Sequence, residues 1–277
     1  MESPAGLGAP IFVRVFGPLS VTVGDRVLGP KDLGGTKPRQ VFELLVLNHR
    51  AVTKEELTES IWGRRTPVDP FATLETYVSV LRSALQPGVH RDDSLIATVP
   101  GGYRLVRDRA VIDVDRFDEI TRSLSMTEDG DRGAVLREAA TLAQGRLLEN
   151  EPYAEWIQSE RHHYERQRLE VLVAAADSCV ATGDGGAAID LVERATTVDA
   201  TCEAAYVVGM RAAGLMVRRD LVARLYQQCE RSLRMELGIT PMASTAMLRD
   251  ELLHPERTLV SAATNTASSR WTLSTLG

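Results

Sequence analysis

The stretch of this sequence with the least conformational freedom is residues 69–85, DPFATLETYVSVLRSAL. Asp69 is a residue type that caps a helix and Pro70 fits its first turn, so a helix has a marked start here. Leu74, Val78, Leu81 and Leu85 recur at spacings of four, three and four, which makes one buried stripe. The opposite face carries Thr73, Thr76, Ser79 and Ser83, with Val80 among them and Arg82 on the flank. An ordinary amphipathic surface helix satisfies this pattern. So does a slim, hydroxyl-rich helix shaped for the major groove of DNA, and the neighbouring sequence has to decide between them.

A chain of 277 residues is long for one core and predicts two domains. No apolar run approaches the roughly 20 residues of a membrane span. The N-terminus lacks a basic region followed by an apolar one, so no signal peptide is expected. Cys179, Cys202 and Cys229 are far apart with no C-x-x-C, which suits a reduced, cytoplasmic compartment and buried small hydrophobes. The net charge of −6 argues at first against nucleic acid, but it is unevenly spread. Residues 1–110 hold 14 Lys+Arg against 12 Asp+Glu, and residues 111–277 hold 18 against 26. The first third can face phosphates while the remainder stays acidic.

Residues 1–9 are small and Gly/Pro-rich, as in a frayed end. Residues 11–16, 19–23 and 26–28 read as short antiparallel strands separated by Gly17-Pro18 and Gly24-Asp25. Residues 29–36 look superficially like a phosphate-binding loop, but Gly35 stands where that motif needs its lysine. A loop leading into a helix is the better reading. That helix starts near Lys37-Pro38-Arg39-Gln40 and buries Val41, Leu44, Leu45 and Leu47. Lys37 and Arg39 at its N-terminus are candidates for a phosphate, or are solvated. Thr53-Lys-Glu-Glu56 is a capping box opening a second helix with Leu57, Ile61 and Trp62 inside and Gly63 at its end. Residues 64–69 connect it to the central helix, a helix-turn-helix with a longer turn than usual. Residues 95–106 then read as a hairpin about Pro100-Gly-Gly102, placing Arg104 beside the end of the central helix for a phosphate or the minor groove.

Beyond residue 110 the sequence is Ala-, Leu-, Glu- and Arg-rich and almost without strand signals. Asp113-Val-Asp115 is expected to cap a helix holding Phe117, Ile120 and Leu124. A long helix reaches about Thr182, where Gly183-Asp-Gly-Gly186 breaks it. The segment from Thr182 through Ala195 is echoed 34 residues later from Met216 through Cys229, the period of tetratricopeptide-like helix pairs that present a groove to partner peptides. Val217 replaces the turn glycine of the first copy. His162-His163 are adjacent on a helix and point apart, so a metal site is not expected. The expected fold is mainly α with a small β component: an N-terminal winged helix-turn-helix, then an all-α tetratricopeptide-like domain. The expected boundaries are a disordered 1–10, a DNA-binding domain over 11–110, a helical domain over 111–253, and a disordered Ala/Ser/Thr-rich tail over 254–277 on which Trp271 is a candidate for docking.

Residues 11–106 resemble the OmpR/PhoB-type DNA-binding domain in its SARP (Streptomyces antibiotic regulatory protein) version. The likeness is carried by Phe16-Gly17-Pro18-Leu19, Lys37-Pro-Arg-Gln40, Ile61-Trp62-Gly63, Leu74-Glu-Thr-Tyr-Val-Ser79, Leu81-Arg82 and Gly102-Tyr-Arg104. Residues 111–253 resemble the bacterial transcriptional activation domain of the same family, through Glu155-Trp156, Glu160-Arg161 and Glu236-Leu-Gly-Ile-Thr-Pro241. The resemblance implies a transcriptional activator of a secondary-metabolite cluster that binds direct repeats in promoter DNA as a side-by-side dimer. It also implies recruitment of RNA polymerase holoenzyme through Arg64-Arg65 before the central helix and through the helical domain. Thr73, Thr76, Ser79 and Val80 would lie nearest the bases. Lys37, Arg39, Tyr77, Arg82, Tyr103 and Arg104 would hold phosphates or the groove rim. Val80 stands where many relatives carry arginine, and can offer a base only apolar contact, as to a thymine methyl. No cofactor, no membrane and no enzymatic activity are expected, in a cytoplasmic, nucleoid-associated protein. The alternatives are a helical-repeat adaptor acting mainly through protein contacts, or a repressor with the same DNA-binding domain.

Overall fold

The structure is a computed structural model that describes residues 10–254. The ends expected to be disordered, and Trp271 with them, thus lie almost wholly outside the described residues. The chain divides into two compact units, residues up to 125 with 141–165, and residues 126–140 with those from 166 onward.

In the first unit, β1 (Ile11–Arg14), β2 (Ser20–Val23) and β3 (Arg26–Leu28) form the antiparallel strands expected from sequence. A fourth strand, β7 (Ala110–Ile112), runs parallel to β1 and completes the order β3-β2-β1-β7. Three residues are too few to show an alternation, so nothing local announces it. Between β3 and β7 lie α1 (Thr36–Leu47), β4 (Val52–Thr53), α2 (Lys54–Trp62), α3 (Pro70–Leu85) and the hairpin β5 (Ile96–Val99) with β6 (Gly102–Leu105). The short β4 pairs with β6 and ties the start of α2 to the hairpin. The capping box forms as its spacing predicts: Thr53 Oγ1 accepts from the Glu56 N–H and Glu56 accepts from the Thr53 N–H. Asp69 caps α3 by accepting from the Ala72 N–H at 3.0 Å. Leu74, Val78, Leu81 and Leu85 are all buried, and α3 packs on both α1 and α2. Four such side chains contribute about 1.5–3 kcal/mol each.

Asp113 differs from expectation. It opens α4 (Asp113–Ser123) and accepts from the Val114 N–H of that helix at 2.9 Å, but the same carboxylate also accepts from the Val15 and Phe16 N–H groups at 2.9–3.0 Å. Those amides leave β1 without a strand partner, and the aspartate supplies one. Burial pushes the carboxyl up to about 6 against the three N–H donors that favour its charged form.

Residues 146–151 line the segment that follows β1. Gly17 donates to the Arg146 carbonyl, Leu148 to Val15 and Glu149 to Gly17, at 2.8–3.0 Å. The Leu19 N–H meets Asn150 Oδ1 at 2.8 Å. Arg161, fully buried, holds this segment from behind by donating to the carbonyls of Leu147, Leu148 and Glu151 at 2.6–2.9 Å. Phe16, Phe117 and Tyr164 pack edge to face beside it, with Phe16 5.3 Å from Phe117 and 5.5 Å from Tyr164.

The second unit is helical. After parts of α5 (Asp129–Leu142) and α6 (Gln158–Ala181) come α7 (Gly185–Val198), α8 (Glu203–Leu215), α9 (Arg219–Ser232) and α10 (Ala243–Leu253). α7 packs on α8 and α8 on α9, while α10 covers both α8 and α9. The 34-residue repeat is visible in the backbone. Gly183 ends α6 at φ +82°, and Val217, its counterpart, ends α8 at φ +57°. A β-branched residue in that region is strained. Val217 is largely exposed, so little packing is lost with it, and Val217→Gly is expected to stabilise the chain by about 1 kcal/mol. A calorimetric melt should rise by about 2–4 °C. Among the described residues no helix is long and apolar enough to cross a membrane, and no cluster of His, Cys, Asp or Glu is placed to hold a metal ion.

Candidate nucleic-acid interface

α3 presents its polar face to solvent, with Thr76, Ser79 and Val80 exposed and Thr73 half-exposed. Thr73 Oγ1 donates to the Asp69 carbonyl and Thr76 Oγ1 to that of Ala72. With the hydroxyl protons turned into the helix, each side chain offers oxygen lone pairs and a methyl outward. Such a surface accepts from cytosine or adenine amino groups and meets thymine methyls. Glu75 lies on the same helix, 2.7 Å from Lys54 Nζ, and this pair fastens the start of α2 to α3. Tyr77 is half-buried beside Trp62, with ring centroids 5.9 Å apart.

Val80 is 37% exposed and has a second neighbour. Gly34, at φ +77°, lies under it so closely that a Cβ there would come within 2.3 Å of Val80 Cγ1. Val80 therefore packs the loop before α1 onto α3 as well as facing outward. Glycine at 34 is required both by its φ and by that contact.

The basic residues divide into two groups. Arg64, Arg65 and Arg104 are exposed, the first two in the turn before α3 and Arg104 on β6 of the hairpin. Arg91, not singled out from sequence, is also exposed, and its charge is near enough to push the Arg82 guanidinium down, though burial is the larger cause. The second group is engaged within the fold. Arg82 donates to the Ile96 carbonyl at 2.7 and 3.1 Å and to Thr98 Oγ1 at 2.9 Å, fixing α3 to the hairpin. Lys37 donates to the Ile61 carbonyl and to Gln40 Oε1. Arg39 is paired with Glu151 and lies 3.3 Å from Glu43. Tyr103 is 3% exposed, its ring inside the hairpin core. The phosphate roles expected for Lys37, Arg39 and Arg82 thus meet side chains already bonded within the fold, and the DNA contact expected for Tyr103 meets a buried ring.

The Arg39 pair belongs to a buried polar cluster that the sequence did not reveal. Glu151 accepts from Arg39 and from Gln40 Nε2 at 2.7 Å, and Asn150 Nδ2 donates to Glu43 Oε1 at 2.6 Å. Glu43 is fully buried on α1. Burial, helped by the nearby Glu151 charge, pushes its carboxyl up to about 8, against the Asn150 bond that lowers it. An acid raised in the folded state favours folding most below its unfolded value near 4.5, and that contribution is lost as pH rises through about 8. Asp113 acts in the same direction up to about pH 6. Urea midpoints of the wild type should therefore fall between pH 6 and pH 8, with a slope of at most about 1.4 kcal/mol per unit. Glu43→Gln should flatten that decline.

The sequence of the helical region decides the family. Residues 112–253, half of the chain, match the bacterial transcriptional activator domain, and residues 34–105 match the C-terminal domain of transcriptional regulatory proteins. The chain belongs to the SARP family. It is 24% identical over 254 residues to the regulatory protein AfsR of Streptomyces griseus, covering 90% of this chain and 25% of AfsR. It is 25% identical over 230 residues to the regulatory protein DnrI of Streptomyces peucetius, covering 79% of this chain and 85% of DnrI. This SARP chain thus spans about a quarter of AfsR but most of DnrI. Its structure superposes on Mycobacterium tuberculosis EmbR, solved in complex with a low-affinity phosphopeptide. The TM-score is 0.71 at 22% identity, with 94% of this chain and 70% of that chain covered. That likeness bears on the fold, a winged helix followed by a helical domain. The SARP chain accordingly joins a region matching the C-terminal domain of transcriptional regulatory proteins to one matching the bacterial transcriptional activator domain.

Proposed function

We propose that this SARP activates transcription of a secondary-metabolite cluster by binding direct repeats in promoter DNA, with residues 11–110 reading DNA and 111–253 contacting the transcription machinery. The observation that carries the reading is the exposed hydroxyl face of α3, bordered by exposed arginines at both ends: Arg64 and Arg65 before the helix, Arg91 and Arg104 near its end. In the proposed complex α3 lies in the major groove. Thr73, Thr76 and Ser79 read base edges, Val80 offers a methyl to thymine, Tyr77 lies at the groove rim, and Arg91 and Arg104 neutralise phosphates. Copies arranged head to tail match a direct repeat, whereas a two-fold dimer would match a palindrome. Arg64 and Arg65 are left for RNA polymerase holoenzyme, its sigma or another subunit. The work takes place in the cytoplasm, at the nucleoid, without a cofactor or catalytic step.

Arg104→Ala tests the phosphate assignment. Binding should weaken on every DNA sequence, and the slope of log affinity against log salt should fall by about 1. A change confined to one preferred base would place Arg104 on a base edge.

A further inference from the structure

Between α6, the start of α8 and the first turn of α10 lies an open groove of about 710 Å³. It is lined by Leu169 and Val173, four apart on α6, by Ala204, Val207 and Val208 on α8, and by Met242 just before α10. An apolar furrow between two helices is the shape into which a third helix packs. Met242 is 65% exposed. Its backbone N–H is held by Glu203 Oε1 at 2.7 Å, so the backbone is fixed while the flexible thioether can adapt to what it meets.

The charge of this groove is one-sided. Among the described residues, Glu170, Asp177 and Glu203 line it and no Lys, Arg or His does. Asp177 is paired with Arg211 at 2.6 Å and Glu203 is engaged with Met242, which leaves the exposed Glu170 beside the α6 ridge. An apolar furrow with an acidic margin complements a helix that has an apolar stripe and lysines or arginines flanking it. It disfavours an acidic helix by the same margin.

We propose that this groove is a docking site for a basic amphipathic helix of a partner protein, separate from the DNA-reading face. The apolar stripe seats between Leu169, Val173 and Val207, and a flanking cation meets Glu170.

The test uses the full chain and three fluorescein-labelled synthetic peptides of about 14 residues, enough for a helical stripe. The first has leucines at i, i+3, i+4 and i+7 with lysines elsewhere. The second replaces lysine by glutamate. The third has the first peptide's composition with its leucines scrambled. Anisotropy titration should show the first binding at least about tenfold more tightly than either other. Glu170→Lys and Met242→Glu, both at exposed positions, should each weaken that binding about fivefold or more and leave DNA retardation unchanged. Cys202, which lines the groove and is only half-buried, should react with a thiol reagent in the free chain and be shielded by the first peptide. Equal binding of the lysine peptides, binding untouched by either variant, or no binding at all would overturn the proposal. So would Cys202 shielded without peptide: at every protein concentration the occupant would be this chain's own, and only at high concentration a second copy.

Discussion

Arg161→Met is expected to cost about 3–5 kcal/mol of folding stability, among the largest losses of any single substitution in the chain. The arginine is fully buried and its guanidinium donates to the carbonyls of Leu147, Leu148 and Glu151. Methionine roughly keeps the volume but leaves the Leu147 carbonyl without its donor and strips one donor each from the Leu148 and Glu151 carbonyls, which keep the Glu151 and Ala154 N–H groups; an unmet buried group costs about 1–3 kcal/mol. The loss extends to what the segment carries, since Glu151 holds Arg39 and Gln40, and Asn150 holds Leu19 and Glu43. Chemical denaturation should show a lower midpoint, and amide exchange should quicken first at Gly17 and Leu148, whose N–H groups bond along this segment. Arg161→Lys should recover only part of the loss, because one ammonium cannot reproduce the fork.

The second large effect is on DNA. Thr76→Asp places a carboxylate on the exposed face of α3, one turn from Thr73 and Val80. Like charge against the phosphates and an acid in the major groove together should reduce affinity by about 100-fold or more at moderate salt. Thr76 is exposed and its side-chain bond goes only to Ala72 of its own helix, so the melting temperature should move little. Loss of binding without loss of stability is the signature expected of a contact residue.

The fold was legible wherever the signal was local. The α3 stripe, the Thr53–Glu56 capping box, the Asp69 cap and the hairpin about Gly101 each follow from residues within a few positions of one another. The 34-residue repeat was equally readable, down to Val217 standing where Gly183 stands. What escaped was long-range. The pairing of β7 with β1 joins positions about a hundred residues apart, and Asp113 serves Val15 and Phe16 as well as the Val114 N–H of its own helix. The candidate site divides along the same line. The exposure of Thr76, Ser79 and Arg104 follows from helical and strand periodicity. That Arg39 and Arg82 are engaged depends on Glu151, Ile96 and Thr98, and no spacing rule reaches those partners. A cation in sequence looks the same whether it awaits a phosphate or already holds a carbonyl.

In the proposed complex everything turns on the hydroxyl face of α3 reading DNA. The most direct test is a gel-shift titration of wild type and Thr76→Asp against fragments of promoter DNA from the neighbouring genes, at several salt concentrations with non-specific competitor present. Wild type is expected to retard a particular fragment with affinity falling steeply in salt, and Thr76→Asp to retard none while melting at the same temperature. Unchanged retardation by Thr76→Asp would contradict this reading and move the DNA-binding surface off α3.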